Sequence, residues 1–401
     1  MTDTDPFVTA YVAHFLIEAQ EHQMRLPRAW TEEYGLFPRA VSALEQQSIP
    51  QEGDSLTALR QSAYSAYLLT RLAQVPTNAL HSIQTQLEQN FKVQDWQTDL
   101  VSAWLAAAYQ NLKQDDKAAA LITPLLTQSV KPRTEKWRYD YYSDPLIQDS
   151  STLYVVARHF PEKLANIAEP VLNRITEDLN AERYNTLSSA MLLLALDAYA
   201  QQYQGNGEQL QILLNGNAIG ELQGAFRLAD INDESANLTF ANQSGQSAWF
   251  ALSQSGYPKQ APTQNLKNGL EIDRTYTDKD GKEVKSVKIG DTVNVTVKVR
   301  SSSDYLSNVV ITDLFPAGFE AVWSEETEVE GDDIWAPQHT DLREDRMLSY
   351  GDVTNETRYL KYKLKAVNIG TYQIPSVYAE SMYDRSIKAL AVGNGQLKVE
   401  K

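Results

Sequence analysis

The chain has 401 residues, no cysteine, and 52 acidic against 36 basic side chains, giving a formal net charge of −16 at pH 7. That charge repels phosphate and argues against a nucleic-acid partner, while the missing thiols exclude disulfides, thiolate metal ligands and a cysteine nucleophile within these residues. The length suits two or three domains, no apolar run is long enough to span a membrane, and the opening residues carry no signal-peptide pattern.

Along the first half the apolar spacing is helical. Residues 7–20 place Phe7, Val8, Tyr11, Val12, Phe15, Leu16 and Ala19 on one stripe. Asp5-Pro6 ahead of them supplies a cap and a first-turn proline. Further helices are expected near 34–48, 56–74, 76–90, 96–113, 115–128, 146–160, 161–179 and 186–203, about nine in all, joined by short linkers such as Gln114-Asp115-Asp116. Leu100, Val101, Trp104, Leu105 and Ala108 form one buried stripe, and Leu187, Ala190, Met191, Leu194 and Ala198 another.

Near residue 205 the pattern changes. Gln204-Gly205-Asn206-Gly207 reads as a linker. Gln209–Leu214, Ala225–Leu228, Asn237–Phe240 and Ala248–Leu252 read as short strands, with a turn at Asn215-Gly216-Asn217. This segment is too short to bury much alone, so it pairs with other strands or packs on the helices. After a linker at Lys259–Thr263, alternation takes over. Val293, Val295, Val297 and Val299 share one face of a strand entered through Gly290-Asp291. Lys279-Asp280-Gly281 is a hairpin signal. Val309, Val310 and Ile311 form a buried strand that Pro316-Ala317-Gly318 stops, and Tyr359–Lys365 and Gly370–Tyr378 give two more. Short antiparallel strands at this spacing make a β-sandwich.

Several strings resemble bacterial alpha-2-macroglobulins: Thr9-Ala10-Tyr11-Val12-Ala13-His14-Phe15-Leu16, Tyr142-Ser143-Asp144-Pro145-Leu146 with Asp149 beyond it, and Asn185-Thr186-Leu187-Ser188-Ser189-Ala190-Met191. In the sandwich they are Asp313-Leu314-Phe315-Pro316-Ala317-Gly318-Phe319-Glu320, Arg343-Glu344-Asp345-Arg346 and Ala379-Glu380-Ser381-Met382-Tyr383-Asp384. The resemblance implies a multidomain chain, α then β. Residues 1–204 would be a thioester-type α/α toroid whose N-terminal part lies outside this chain, 205–263 a CUB-like β segment, and 264–401 the last macroglobulin-like sandwich. It implies the C-terminal part of a broad-spectrum endopeptidase inhibitor that traps proteases after bait cleavage and is not itself an enzyme. Its partners would be target proteases, met through the full-length parent, the rest of which packs on the helical and CUB-like parts. No cofactor is implied. The family's place is the periplasm, with a lipoprotein anchor upstream, in a role in bacterial defence.

Family members with covalent activity carry a Cys-x-Glu-Gln thioester, whose thiolate leaves when a lysine attacks the acyl carbon. Here Ala43-Leu44-Glu45-Gln46 has alanine for the cysteine and continues the helical stripe of Leu36, Ala40, Val41 and Leu44, so it reads as ordinary helix, and no thioester residue is expected in this chain. In thioester-bearing relatives an aromatic residue of the last domain shields the bond from water. Tyr383 is the candidate for that place, beside the plainer reading of a tyrosine packed at a strand end. The five histidines, His14, His22, His81, His159 and His339, lack zinc-pair spacing with a nearby acid, so neither a metal site nor a catalytic residue is expected. His14 reads as a satisfied packing residue. Glu325, Glu326, Glu328, Glu330, Asp332 and Asp333 read as a solvated loop rather than a calcium loop, with Trp335 and Pro337 pinning it. Three alternatives remain: a polysaccharide-active enzyme, which needs acids such as Glu18 and Asp99 to converge in a cleft; a thioester-less paralogue with a scaffold role; and a tetratricopeptide-like scaffold suggested by Ala106–Leu121.

Overall fold

Asp5 and Pro6 start the first helix, Pro6–Glu21 (α1), as the sequence predicts: the Asp5 carboxylate accepts from the Val8 amide at 3.0 Å, and Pro6 needs no donor there. The computed structural model describes residues 5–131, 144–202, 209–223, 226–231, 237–243, 248–253, 260–322 and 333–401. These fall into two compact units, Met1–Glu177 with Thr186–Ala251, and Asp178–Asn185 with Leu252–Lys401.

After α1 the helices are Arg28–Thr31 (α2), Leu36–Gln47 (α3), Leu56–Arg71 (α4), Thr77–Asn90 (α5), Val93–Trp96 (α6), Leu100–Asn111 (α7), Asp115–Ser129 (α8), Pro145–His159 (α9), Pro161–Leu164 (α10), Ala168–Asn180 (α11) and Thr186–Gln202 (α12). Among the described residues, setting aside the one-turn α2, α6 and α10, nine remain, in agreement with the sequence. α4, α7 and α9 are buried nearly all round, while α3 and α5 bury a single stripe. The predicted stripe of α7 is thus only part of its buried surface, since every residue from Leu100 to Tyr109 is inside.

Three helical expectations need correction. Asp99 caps α7 by accepting from the Val101 amide at 2.8 Å, so the run expected at 96–113 is a single turn and then a helix. The run expected at 161–179 breaks before Ala168, because Pro170 has no N–H to give the Asn166 carbonyl and is tolerated only in a first turn. α1 is turned part of the way from its predicted face: Leu16 and Ala19 are buried as expected, but Ala10, Ala13, His14, Ile17 and Glu18 also point inward, while Val8 and Phe15 are exposed.

The small β segment contains Leu210–Leu214 (β1), Asn217–Ile219 (β2), Glu221–Gln223 (β3), Phe226–Leu228 (β4) and Leu238–Asn242 (β5). β1 pairs antiparallel with β2 and β5. Asn215 and Gly216, with φ of 50° and 84°, make the left-handed two-residue turn that matches strand twist. The strand expected at Ala248–Leu252 is not formed over the described residues 248–253. Trp249 instead donates to the Asn173 side chain of α11 at 3.2 Å and lies edge-on to Tyr199 of α12, so the segment packs on the helices. The Gln204–Gly207 linker lies outside the described residues.

The second unit holds Leu266–Asn268 (β6), Leu270–Thr277 (β7), Ser286–Lys288 (β8), Thr292–Ser301 (β9), Tyr305–Leu314 (β10), Phe319–Val322 (β11), His339–Leu342 (β12), Arg346–Thr354 (β13), Arg358–Ala366 (β14), Gly370–Gln373 (β15), Val377–Ser381 (β16), Lys388–Ala391 (β17) and Gln396–Glu400 (β18). One sheet runs β12-β13-β10-β16-β17-β6 and a second β11-β14-β9-β7, with β15-β18-β8 as a smaller third in which β8 and β18 are parallel. The four valines of β9 lie wholly inside and pack with Ile311, Leu364 and Ala379. The run Gly370–Tyr378 is divided between two sheets, because Pro375 cannot donate to a ladder. Gly318 is required by close approach: a Cβ there would come within 2.0 Å of the Tyr372 ring.

Between the two larger sheets lies a polar tie. Asp313 of β10 is fully buried; it receives Arg274 of β7 and the Tyr362 hydroxyl of β14 at 2.6 Å, while Arg274 also reaches the Leu314 and Pro375 carbonyls. Removing one partner of such a pair leaves an uncompensated charge. Arg274→Leu is therefore expected to cost the sandwich about 3–5 kcal/mol, and Arg274→Leu with Asp313→Leu clearly less. Chemical denaturation followed by the sandwich's tryptophan signal checks the order, and a double variant as unstable as the single would contradict it.

Candidate functional site

The densest group of ionisable side chains among the described residues is inside the helical unit, where α1, α4 and α9 meet. His14 and Glu18 stand one turn apart on α1; Tyr64, Tyr67 and Arg71 come from α4, and Tyr154, Arg158 and His159 from α9. The Glu18 carboxylate only accepts. It takes the Tyr154 hydroxyl at 2.5 Å, Arg71 Nη1 at 2.8 Å and His14 Nε2 at 3.2 Å. Nε2 of His14 therefore carries the proton, and Nδ1 accepts from the Tyr64 hydroxyl at 2.7 Å. The Tyr154 oxygen accepts from Arg71 Nη1 at 2.7 Å. Tyr67 lies 3.4 Å from that oxygen and 2.9 Å from His159 Nε2. Toward the surface, Glu21 binds both Arg71 and Arg158, and His22 is 3.6 Å from Glu18 Oε2 and from Asp197 of α12.

Burial opposes the charge on Glu18, yet the hydrogen bond from His14, the Arg71 charge and the Tyr154 hydroxyl hold its carboxyl well below the usual range. Burial lowers His14, which stays neutral despite its bond to Glu18. His159 is pushed down to about 3, first by burial and then by the Arg158 and Arg71 charges. Burial raises Tyr67 and Tyr154. Two guanidinium charges thus face two carboxylates, with neutral imidazoles and phenols between them.

This arrangement is structural chemistry rather than a cleft acid pair. Glu18 is pinned by donors, and Asp99 belongs to a separate bidentate pair with Arg60, at 2.8 and 2.5 Å. His14 is the satisfied packing residue that the sequence suggests. The convergence on Glu18 was not legible, because its partners lie 53 and 136 residues away. The only local signal was the His14–Glu18 spacing.

The other candidates lie apart. Ala43–Gln46 is ordinary helix within α3; Leu44 is buried, and Glu45 accepts from Gln74 at 3.1 Å. Tyr383 is half-buried in the loop between β16 and β17. That loop is tied by Met382 N to Asn308 O at 2.9 Å, Ser386 Oγ to Asp384 Oδ1 at 2.5 Å and Asn268 Nδ2 to Ser386 O at 2.6 Å. His81 and His339 are exposed. Asp144 and Pro145 start α9 by the device used at α1, and Asp149 holds Arg174 at 2.7 and 3.0 Å, whereas Tyr142 and Ser143 lie outside the described residues. Of the acidic run only Asp333 is described. Trp335 beside it is buried and donates from its indole to the Asp352 carbonyl at 2.7 Å, anchoring that end.

The profile of the bacterial alpha-2-macroglobulin MG10 domain matches residues 269–385. A Pasteurella multocida (strain Pm70) protein named alpha-2-macroglobulin is 60% identical over 395 residues, which are 98% of this chain and 21% of that protein. The native Escherichia coli alpha-2-macroglobulin crystal structure spanning domain MG7 to the C-terminus is 22% identical, with a TM-score of 0.69 over 100% of this chain and 64% of that one. A Salmonella alpha-2-macroglobulin structure reacted with methylamine is 23% identical, with a TM-score of 0.69 over 99% of this chain and 26% of that one. The helical region followed by antiparallel sheets is the C-terminal architecture of those proteins. The chain belongs to the bacterial alpha-2-macroglobulin family, and it spans about a fifth of the length of the Pasteurella relative.

Neutralising Glu18 leaves Arg71 buried against fewer acceptors. Glu18→Gln is expected to destabilise the helical unit by about 3–5 kcal/mol, and Tyr67→Phe by about 1 kcal/mol. Helical circular dichroism against denaturant checks the ranking; equal effects would contradict it.

Proposed function

We propose that this chain is the C-terminal part of a broad-spectrum endopeptidase inhibitor that traps proteases once they cut a bait segment elsewhere in the parent. The observation that carries this reading is the 60% identity to the Pasteurella alpha-2-macroglobulin, which extends over 98% of this chain and so covers helices, small β segment and sandwich alike. In this reading residues 1–204 are the thioester-type helical domain, 205–263 one half of a CUB-like domain, and 264–401 the last macroglobulin-type domain. The chain contributes body and cover but no bait and no thioester residue, and no catalysis. Its partners are target proteases, met through the full-length parent, in the periplasm of a Gram-negative cell with a lipoprotein anchor upstream, as part of bacterial defence.

Tyr383 is the residue we assign to shielding the thioester. Its support is a short loop whose neighbouring residues Met382, Asp384 and Ser386 are hydrogen-bonded and on which Tyr383 is half-buried. A rigid aromatic cover keeps water off an acyl bond that a lysine is meant to reach only after rearrangement.

The test uses the full-length parent. Treated with methylamine, it is expected to release one thiol per chain, read with a thiol reagent, and Tyr383→Ala is expected to raise spontaneous thiol release at least severalfold. A cysteine-bearing parent that releases no thiol would overturn the thioester reading. Unchanged release in the variant would remove Tyr383 from the shielding role while leaving the trap reading intact.

A further inference from the structure

The cluster around Glu18 does something the protease-trap reading does not require, and the inference drawn from it stands apart from that reading. α1 is held to the helical unit by two kinds of contact. One is apolar, through Ala10, Ala13, Leu16, Ile17 and Ala19. The other is the set of polar bonds from His14, Glu18, Glu21 and His22 to α4, α9 and α12. The inward apolar groups include three alanines, while the larger Phe15 is exposed, so the polar set carries much of the attachment. We propose that the His14–Glu18–Tyr154–Arg71 cluster is an acid-released latch that fastens α1 to α4 and α9 near neutral pH and lets it open when the buried imidazole of His14 and the half-buried imidazole of His159 take up protons.

The charge balance gives the reason. Arg71 and Arg158 are matched by Glu18 and Glu21, so a proton arriving on His14 or His159 has no free carboxylate to meet and adds an uncompensated buried charge beside two guanidiniums. It also disturbs the bonding. Nδ1 of His14 accepts from Tyr64, so its protonation forces that phenol to turn its own hydrogen elsewhere. Charged groups on the surrounding elements do not relieve this. On α3, Arg39 donates to the Gly35 carbonyl and Glu45 is bound by Gln74. On α4, Arg60 is paired with Asp99, and on α9, Asp149 is paired with Arg174. On α10, Lys163 and Glu162 face each other, and on α12, Asp197 is beside His22.

The direction follows from linkage. Burial lowers both imidazoles in the folded chain, so the unfolded or opened state binds protons more readily. Stability is complete above the ordinary histidine range near pH 6.5 and is lost as the pH falls from there toward the folded values, about 3 for His159. Glu18, lowered instead, adds a loss of the same sign only once the pH falls below the ordinary carboxylate range. Between pH 7 and 5 the imidazoles therefore act alone.

Amide hydrogen exchange of the full chain at pH 7.0, 6.0 and 5.0, corrected for intrinsic rates, tests this. The opening equilibrium of α1 amides is expected to rise about tenfold per pH unit for each titrating imidazole below pH 6.5, while β9 and β10 amides keep their protection. His159→Gln, which keeps a neutral hydrogen-bonding group, is expected to reduce that slope by one imidazole's share. α1 protection that is independent of pH over this range would overturn the proposal, as would α1 and the sandwich losing protection in parallel. If His159→Gln does not fold, the wild-type comparison of α1 with β9 decides alone.

Discussion

The helical unit depends on how one carboxylate is kept ionised away from water. Isolated burial of such a charge costs many kcal/mol, and a protein tolerates it only with an opposite charge and enough donors around it. Glu18 meets that condition with Arg71, Tyr154 and His14, from three helices that are distant in sequence. The requirement sets the rotation of α1: the face with His14 and Glu18 turns inward, and Phe15 turns out. It also fixes the register of α4 against α9, since Tyr67 must reach both the Tyr154 oxygen and His159.

The sandwich solves the same problem with a simpler set. Asp313 is fully buried and is met by one arginine and one tyrosine from two strands of the facing sheet. Arg274 spends its remaining donors on the Leu314 and Pro375 carbonyls, the second freed where the proline interrupts a strand. Both units therefore use apolar packing for bulk stability and charged, hydrogen-bonded groups for alignment. The exposed arginine pairs of the Arg343–Arg346 string are of another kind, and pairs so exposed contribute little.

What was legible in the sequence was what local chemistry dictates. The caps at Asp5 and Asp144, the valine alternation of β9, the Asn215-Gly216 turn and the ordinary helix at Ala43–Gln46 all depend on neighbours a few residues apart. The errors have two causes. The α1 stripe and the strand expected at Ala248–Leu252 were decided by distant partners, Arg71 and Tyr154 for the first and Asn173 and Tyr199 for the second, whereas the breaks at Asp99, Pro170 and Pro375 follow from residues inside the runs themselves. A hydrophobic stripe is a good guide until a buried ion pair outweighs it, and no spacing rule announces a carboxylate whose cation lies 53 residues further on.

The account turns on the protonation of the groups around Glu18, so the most direct measurement is the imidazole nitrogen NMR spectrum of histidine-labelled chain at pH 7. It predicts His14 neutral with its proton on Nε2, and His159 neutral as well. A doubly protonated His14 at that pH, or a neutral His14 carrying its proton on Nδ1, would contradict the charge balance on which the helical unit is built.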